Sequence, residues 1–273
     1  MDKKTIFITG TSSGLGKLTA IHFAKLGWNV AATMRTPEKE TELTAYDNIK
    51  IFKLDVTNVE QINSAVNDAV AAFGKIDVVV NNAGLGSYGP LELAEESTID
   101  WQLSVNVRGP INVIRQILPH FRAAGGGMFI NISSHMGLTT AMPLASLYNM
   151  SKFALEGLTE ALYYELNELN IELRLIEQGG SKGNNFIDNA LWNKNKKITA
   201  YNELENKITY MLENASDDQL DDPQTIVDAI AAQATGESKQ FRTIVGESGK
   251  ALIGLRNSVP IEQYLETIAS NFK

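Results

Sequence analysis

Short runs of Ile, Val and Phe alternate along the chain with longer stretches in which apolar residues return every three or four positions. Thr5–Thr9, Val30–Thr33, Ile49–Leu54, Val78–Asn81, Met128–Ile132 and Ile171–Ile176 read as strands. They are continuous apolar runs rather than alternations, the pattern of strands buried on both faces of a parallel sheet. Leu15–Leu26, Val59–Phe73 and Ala145–Glu168 carry helical periodicity, and a long helical region precedes Met128. In the first helix Leu18, Ile21, His22, Lys25 and Leu26 fall at helical spacings, with Ala20, Phe23 and Ala24 enlarging the apolar face. This strand–helix alternation predicts an α/β fold, a doubly wound parallel sheet with right-handed crossovers.

No internal repeat and no Pro/Gly/Ser-rich linker divides residues 1–273, so a single domain is expected. The rhythm breaks at 181–222, rich in Asn and Lys yet carrying Phe186, Ile187, Leu191, Trp192, Tyr201, Tyr210, Met211 and Leu212. An insertion after a strand's carboxyl end, with that much apolar surface to bury, is expected to be a partly mobile substrate lid; the alternative is a variable surface helical pair. Residues 223–273 then complete the domain.

Composition narrows the functions. At 44% hydrophobic and 21% charged residues, the chain has material for a large core and is not of disordered type. A net charge of −8 without a basic cluster argues against nucleic acid as a partner. There is no cysteine, which excludes disulfides, a thiolate nucleophile and Cys-ligated zinc. His22, His120 and His135 are scattered, so no metal site is expected. The first residues run straight into a strand, and no apolar run has the length of a membrane span; a cytoplasmic protein without membrane contact is the expectation.

The chemistry starts at Thr9-Gly10-Thr11-Ser12-Ser13-Gly14-Leu15-Gly16, between a strand and a helix. There Gly10 permits a tight turn, Gly14 lets backbone approach a pyrophosphate, and Gly16 lets the helix pack closely on the sheet. Phosphates would meet free N–H groups at the positive end of the helix, with Ser12 and Ser13 as further donors. A phosphate-binding Gly-Lys-Ser/Thr loop does not fit, because Leu18 follows Gly16-Lys17. The acidic residue that would hold the ribose of NAD is missing at the end of the second strand, where Arg35 stands nearby. An arginine stacks on adenine and pairs with a 2′-phosphate, so NADP(H) is expected over NAD(H).

Tyr148 and Lys152 are spaced i, i+4 on one helix face. A phenol working at neutral pH needs its anion favoured by about 3 pH units, and one ammonium about 4 Å away supplies that order of energy. With the glycine turn, Asp55, Asn81-Asn82-Ala83-Gly84, Asn106, Ser133-Ser134 and Tyr148-Asn149-Met150-Ser151-Lys152 in this order, the chain resembles the short-chain dehydrogenase/reductase family. The resemblance covers about residues 4–180 and implies a fold of Rossmann type. It also implies roles. Tyr148 would be the general acid or base. Lys152 would lower its pKa and hold the nicotinamide ribose. Ser134 would bind the carbonyl oxygen, and Asn106 would support a proton relay through water. Asp55 and Val56 would meet the adenine, Asn82, Ala83 and Gly84 would line the adenosine side, and Gly179 and Ser181 the nicotinamide side. Ser134 is preferred to Ser133 because Ser134-His135-Met136-Gly137 matches the family's Ser-x-x-Gly.

One stretch departs from the family. Where Pro-Gly and then Thr are usual, the chain has Glu177-Gln178-Gly179-Gly180-Ser181-Lys182-Gly183, with Gln178 for the proline and Gly183 for the threonine. The leading expectation is an NADP(H)-dependent carbonyl reductase or alcohol dehydrogenase acting on a small molecule, as a homodimer or homotetramer. The alternative is an NADP(H)-binding redox sensor without turnover, motivated by that stretch.

Overall fold

In the computed structural model, residues 3–182, 189–195, 197–214 and 220–272 are described. Among them seven strands form one sheet: β1 (Thr5–Thr9), β2 (Asn29–Met34), β3 (Ile49–Lys53), β4 (Val78–Asn81), β6 (Gly127–Ser134), β7 (Ile171–Gln178) and β9 (Arg242–Ile244). Two short strands, β5 (Ser87–Tyr88) and β8 (Leu191–Trp192), pair apart from it. The large sheet runs β3-β2-β1-β4-β6-β7-β9 with every pair parallel. This is the Rossmann arrangement, with the order reversing between β1 and β4.

Successive strand residues face opposite layers, so each strand feeds two cores. Ile6, Ile8, Val30, Val80 and Ile130 pack on one side against Phe23 of α1 (Gly14–Lys25) and Ile226 and Ile230 of α7 (Pro223–Thr235). Phe7, Ala31, Val79 and Phe129 pack on the other against α2 (Val59–Phe73) and, through Val113, Ile117 and Phe121, α4 (Gly109–Ala124). The expected runs of β1, β2 and β4 are therefore buried on both faces, but that of β3 is not: at the sheet's edge Lys50 and Lys53 are exposed and Ile51 and Phe52 half-buried. The face expected for α1 is corrected: Leu18 and Leu26 are exposed, and Gly16, Thr19, Ala20, Phe23 and Ala24 turn inward.

Two strand boundaries differ from the expectation with consequences. β7 continues past Ile176 to Gln178, and β6 continues to Ser134. The seventh strand, β9, was not foreseen: three half-buried residues are too few to show a period. The remaining helices are α3 (Glu96–Leu103), α5 (Ser146–Leu166), α6 (Asn202–Glu213), α8 (Glu247–Ser258) and α9 (Ile261–Ser270). α3 passes into α4 through a π-helical turn, Ser104–Arg108. No described helix is long and apolar enough to cross a membrane.

Candidate active site

The carboxyl ends of the strands surround a cavity of about 1090 Å³. Gly10, Ser12, Ser13, Gly14, Leu15 and Gly16 line it from the β1–α1 turn, Arg35 from the end of β2, and Asp55 and Val56 from the end of β3. Asn82, Ala83 and Gly84 line it after β4; Ser134, Tyr148, Lys152, Gly179 and Ser181 complete the predicted set. Asn106 alone does not line it.

The turn is built for a close ligand. Gly10 and Gly14 adopt positive φ (+73° and +54°), which L side chains rarely tolerate. A Cβ on Gly16 would lie 2.3 Å from the Gly10 carbonyl oxygen and 2.5 Å from Asn82 Nδ2. Asn82 Nδ2 holds the turn in place by donating to the carbonyls of Thr9 (2.9 Å) and Gly10 (3.0 Å). Thr9 Oγ1 accepts from the backbone N–H groups of Asn82 and Ala83, both at 3.0 Å, locking β1 to β4 at the switch point. The first N–H groups of α1 have no intrahelical acceptor, and its N-cap Ser13 makes no side-chain cap bond. Lys17 is occupied elsewhere, in ion pairs with Glu40 (3.1 Å) and Glu42 (3.2 Å). A backbone cradle without Cβ atoms, donor N–H groups and an exposed Arg35 at the rim together fit a phosphate-bearing dinucleotide.

At the other end of the cavity, β6 delivers Ser134 and α5 delivers Tyr148 and Lys152. Ser133 and Ser134 are distinguished by the strand's alternation. Ser134 faces the cavity and is hydrogen-bonded to Tyr148, while Ser133 turns toward Glu156 beneath it. Ser134 Oγ already accepts from Met136 N–H at 3.1 Å, which leaves its own proton to donate. Burial pushes the Tyr148 phenol up, and the Ser134 hydrogen bond opposes this. Burial pulls Lys152 down to about 8, against the carboxylate of Glu156. Lys152 Nζ donates to the Ile132 carbonyl at 2.8 Å and lies 5.7 Å from the Tyr148 ring centre. For both groups desolvation is the largest influence.

Asn106 sits in the π-helical turn, and its amide is consumed by structure. Its Oδ1 accepts from Leu85 N–H (2.9 Å); its Nδ2 donates to the Leu85 carbonyl (2.8 Å) and to Ser151 Oγ (3.2 Å). It ties the segment after β4 to α5, which bears Tyr148. Gln178 ends β7 opposite Ser134, so the altered stretch begins inside a strand rather than in a loop. Gly183, Phe186 and Ile187 lie outside the described residues. His135 lines the cavity and burial lowers its pKa; His120 Nε2 accepts from Ile76 N–H at 3.1 Å.

The expected lid and the carboxyl-terminal helices, the latter not singled out in the sequence, also reach the cavity. β8 of the expected lid pairs with β5 (Tyr88↔Trp192), placing the Trp192 ring 5.3 Å from Tyr88, itself 5.8 Å from Tyr148. Leu212 and Leu220 of the same segment line the cavity, and so do Leu252 of α8 and Ile268 of α9. Tyr264 of α9 is fully buried and its hydroxyl accepts from Thr140 N–H at 3.2 Å, docking the carboxyl-terminal helices on the cavity rim. Amphipathic spacing marks such helices, but not which wall they close.

Residues 4–194 match the family model described as short chain dehydrogenase. An uncharacterized oxidoreductase of Bacillus subtilis is 36% identical, covering 95% of each chain. A 3-ketodihydrosphingosine reductase of Bacteroides thetaiotaomicron is 38% identical, over 69% of this chain and 68% of that one. The crystal structure of a short-chain dehydrogenase from Streptomyces avermitilis superimposes with a TM-score of 0.83 at 28% identity, covering 100% of this chain and 99% of the other. With the cleft, the glycine turn and these relatives in agreement, the chain belongs to the short-chain dehydrogenase/reductase family and is one of its oxidoreductases.

Proposed function

We propose that the protein transfers a hydride between NADP(H) and a carbonyl or alcohol carbon, with Tyr148 as general acid in reduction and general base in oxidation. The observation that carries this reading is the meeting of Ser134, Tyr148 and Lys152 in the same cavity as the glycine turn. The dinucleotide would be held by the turn 10–16, by Asp55 and Val56, by 82–84, and by Lys152, Gly179 and Ser181; when bound it would supply the hydride in reduction and accept it in oxidation. Ser134 donates a hydrogen bond to the substrate oxygen, and Tyr148 delivers the proton that this oxygen needs as it gains charge. Lys152 holds the phenolate's charge afterwards. Asn106 acts through the backbone it positions.

The substrate wall favours an apolar body carrying the carbonyl. Tyr88, Trp101, Met142, Leu212, Leu252 and Ile268 line it, and the charged residues lining the cavity, among those described, are Arg35, Asp55 and Lys152. A relative named for reduction of a 3-keto group on dihydrosphingosine is consistent with this. NADPH consumption over a panel of aldehydes, cyclic ketones and long-chain ketones tests the function. Tyr148→Phe is expected to lower kcat by about 10²–10⁴-fold with cofactor affinity kept; turnover at the native rate would sink the assignment.

Arg35 supports NADP(H) over NAD(H), because it is an exposed cation at the cavity rim in the place of a carboxylate. Arg35→Ala is expected to weaken NADPH binding by about ten- to a hundredfold and leave NADH unchanged. Equal affinities in the native protein would overturn the preference. The chain is also proposed to act as a single domain and to assemble as a dimer or tetramer through the face carrying Trp101, Met150 and Phe153, each over a third exposed; sedimentation velocity tests the assembly.

A further inference from the structure

Beneath the reacting groups lies a cluster of charges that the hydride-transfer scheme does not use. Glu156 follows Lys152 by one turn of α5 and is 3% exposed; Glu177, next to last in β7, is 0% exposed. β7 pairs Glu177 with Ser133 on one side and Ile244 on the other. Arg242 enters from β9. Its Nε lies 3.1 Å from Glu156 Oε2 and 3.6 Å from Glu177 Oε1, and its Nη2 lies 2.7 Å from Glu160 Oε2. Gly137 closes the cluster from above: a Cβ there would come within 2.9 Å of both Glu156 Cγ and Ser133 Oγ.

One guanidinium therefore serves three carboxylates, two of them removed from water. The other charged group in reach is the buried Lys152 ammonium, which the Glu156 carboxylate favours. Glu177 meets Arg242 and the N–H of Thr243 from β9, Ser133 beside it in β6, and the charge of Glu156 from α5; Glu160 shares the Arg242 guanidinium, and Lys152 joins the cluster through Glu156, one turn away on α5. The turn after β6 adds His135, which burial keeps below its usual range, and Asp221 lies beyond it at Gly179. Two buried carboxylates sharing one cation favour a single ionisation between them. Burial, then the charge of Glu156, push Glu177 up to about 8; its own N–H, Arg242 and the N–H of Thr243 oppose this less strongly. Burial also raises Glu156, against Ser133, Arg242 and Lys152.

We propose that Glu156 and Glu177 hold one proton between them, and that Glu177 is a positioning residue whose ionisation keeps the Lys152 ammonium charged and extends turnover to higher pH. The turnover part rests on the hydride-transfer reading, in which Lys152 works as a cation. As pH rises, the shared proton leaves to solvent, and the second negative charge stays in the cluster, where it favours the proton on Lys152. In Glu177→Gln that charge never forms. Lys152 then gives up its proton at lower pH.

The test follows two carbon-13 NMR titrations, of glutamate carboxyl carbons and of lysine Cε, on the native full chain and on Glu177→Gln, beside pH profiles of kcat and KM. Expected are one native carboxyl titrating above pH 7, a fall of about 1 pH unit in the Lys152 titration of the variant, and an equal fall in the alkaline limb of kcat with KM unmoved. Glu177→Asp is expected to restore the limb. Native carboxyls that all titrate below pH 6 overturn the proposal without reference to any variant's folding. A Lys152 titration unmoved by the substitution, or a kcat lowered equally at every pH, overturns it as well. A native protein without carbonyl turnover whose Lys152 titration still shifts counts against the hydride-transfer reading and upholds the shared proton.

Discussion

A methyl group at position 16 has nowhere to go. It would press on the Gly10 carbonyl at 2.3 Å and on Asn82 Nδ2 at 2.5 Å, the two groups that shape the turn. Gly16→Ala is therefore expected to cost about 1–3 kcal/mol of stability. Thermal unfolding with and without NADPH checks this: the melting temperature should fall by several degrees, and the rise on adding NADPH should shrink. At this scale the motif residues were legible in the sequence because each carries a backbone or chemical requirement of its own. The reach of each side chain was not. Asn106 reads as a site residue, yet its amide is spent on Leu85 and Ser151, and it does not itself line the cavity. Ser133 and Ser134 are neighbours in sequence and opposites in space, and only the strand's pleat assigns one to Tyr148 and the other to Glu156.

Among the elements, the small β5–β8 pairing shows how a distant segment reaches the site. Gly89 follows β5 at φ +113°, and a Cβ there would lie 2.4 Å from the Asn193 carbonyl oxygen. Asn193 in turn donates its N–H to the Tyr88 carbonyl at 2.8 Å and its side-chain amide to the same carbonyl at 3.0 Å. Gly89→Ala should push β8 from β5 and lift Trp192 off Tyr88. Since a lost ring contact is worth about 0.5–1.5 kcal/mol, KM for bulky apolar ketones is expected to rise about three- to tenfold, with small ketones little affected. Steady-state kinetics on a short and a long ketone check it. Two residues of strand carry no readable period, which is why this pairing, like β9, was invisible along the chain. Stronger patterns behaved differently: α2 spans Val59–Phe73 as its periodicity predicts, and β4 spans Val78–Asn81 as its apolar run predicts.

For the whole molecule, the buried cluster couples stability to pH. Glu177 titrates at about 8 in the folded chain, above its ordinary 4.5, so the folded state holds more protons than the unfolded state between those values. Its contribution is fully present below 4.5 and is lost as pH rises through about 8. Lys152 has the opposite shift, from 10.5 down to about 8, and its contribution returns as pH climbs above that window. Glu177→Gln should therefore gain melting temperature relative to the native protein as pH rises from 5 to 8. Calorimetry at several pH values checks this, and a constant difference across that range would contradict the raised carboxyl.

The sequence by itself determined the sheet's long strands, the order of its motifs and the chemistry each motif requires. Those properties depend on near neighbours: apolar runs, positive-φ glycines, and a phenol and ammonium one helical turn apart. The tertiary structure decided what depends on residues distant along the chain. It set Lys152 on the Ile132 carbonyl, closed the cavity with Leu252 and Ile268, and placed Arg242 among Glu156, Glu160 and Glu177. Burial is a property of the packed molecule, and so the charges of Tyr148, Lys152 and Glu177 were settled only there.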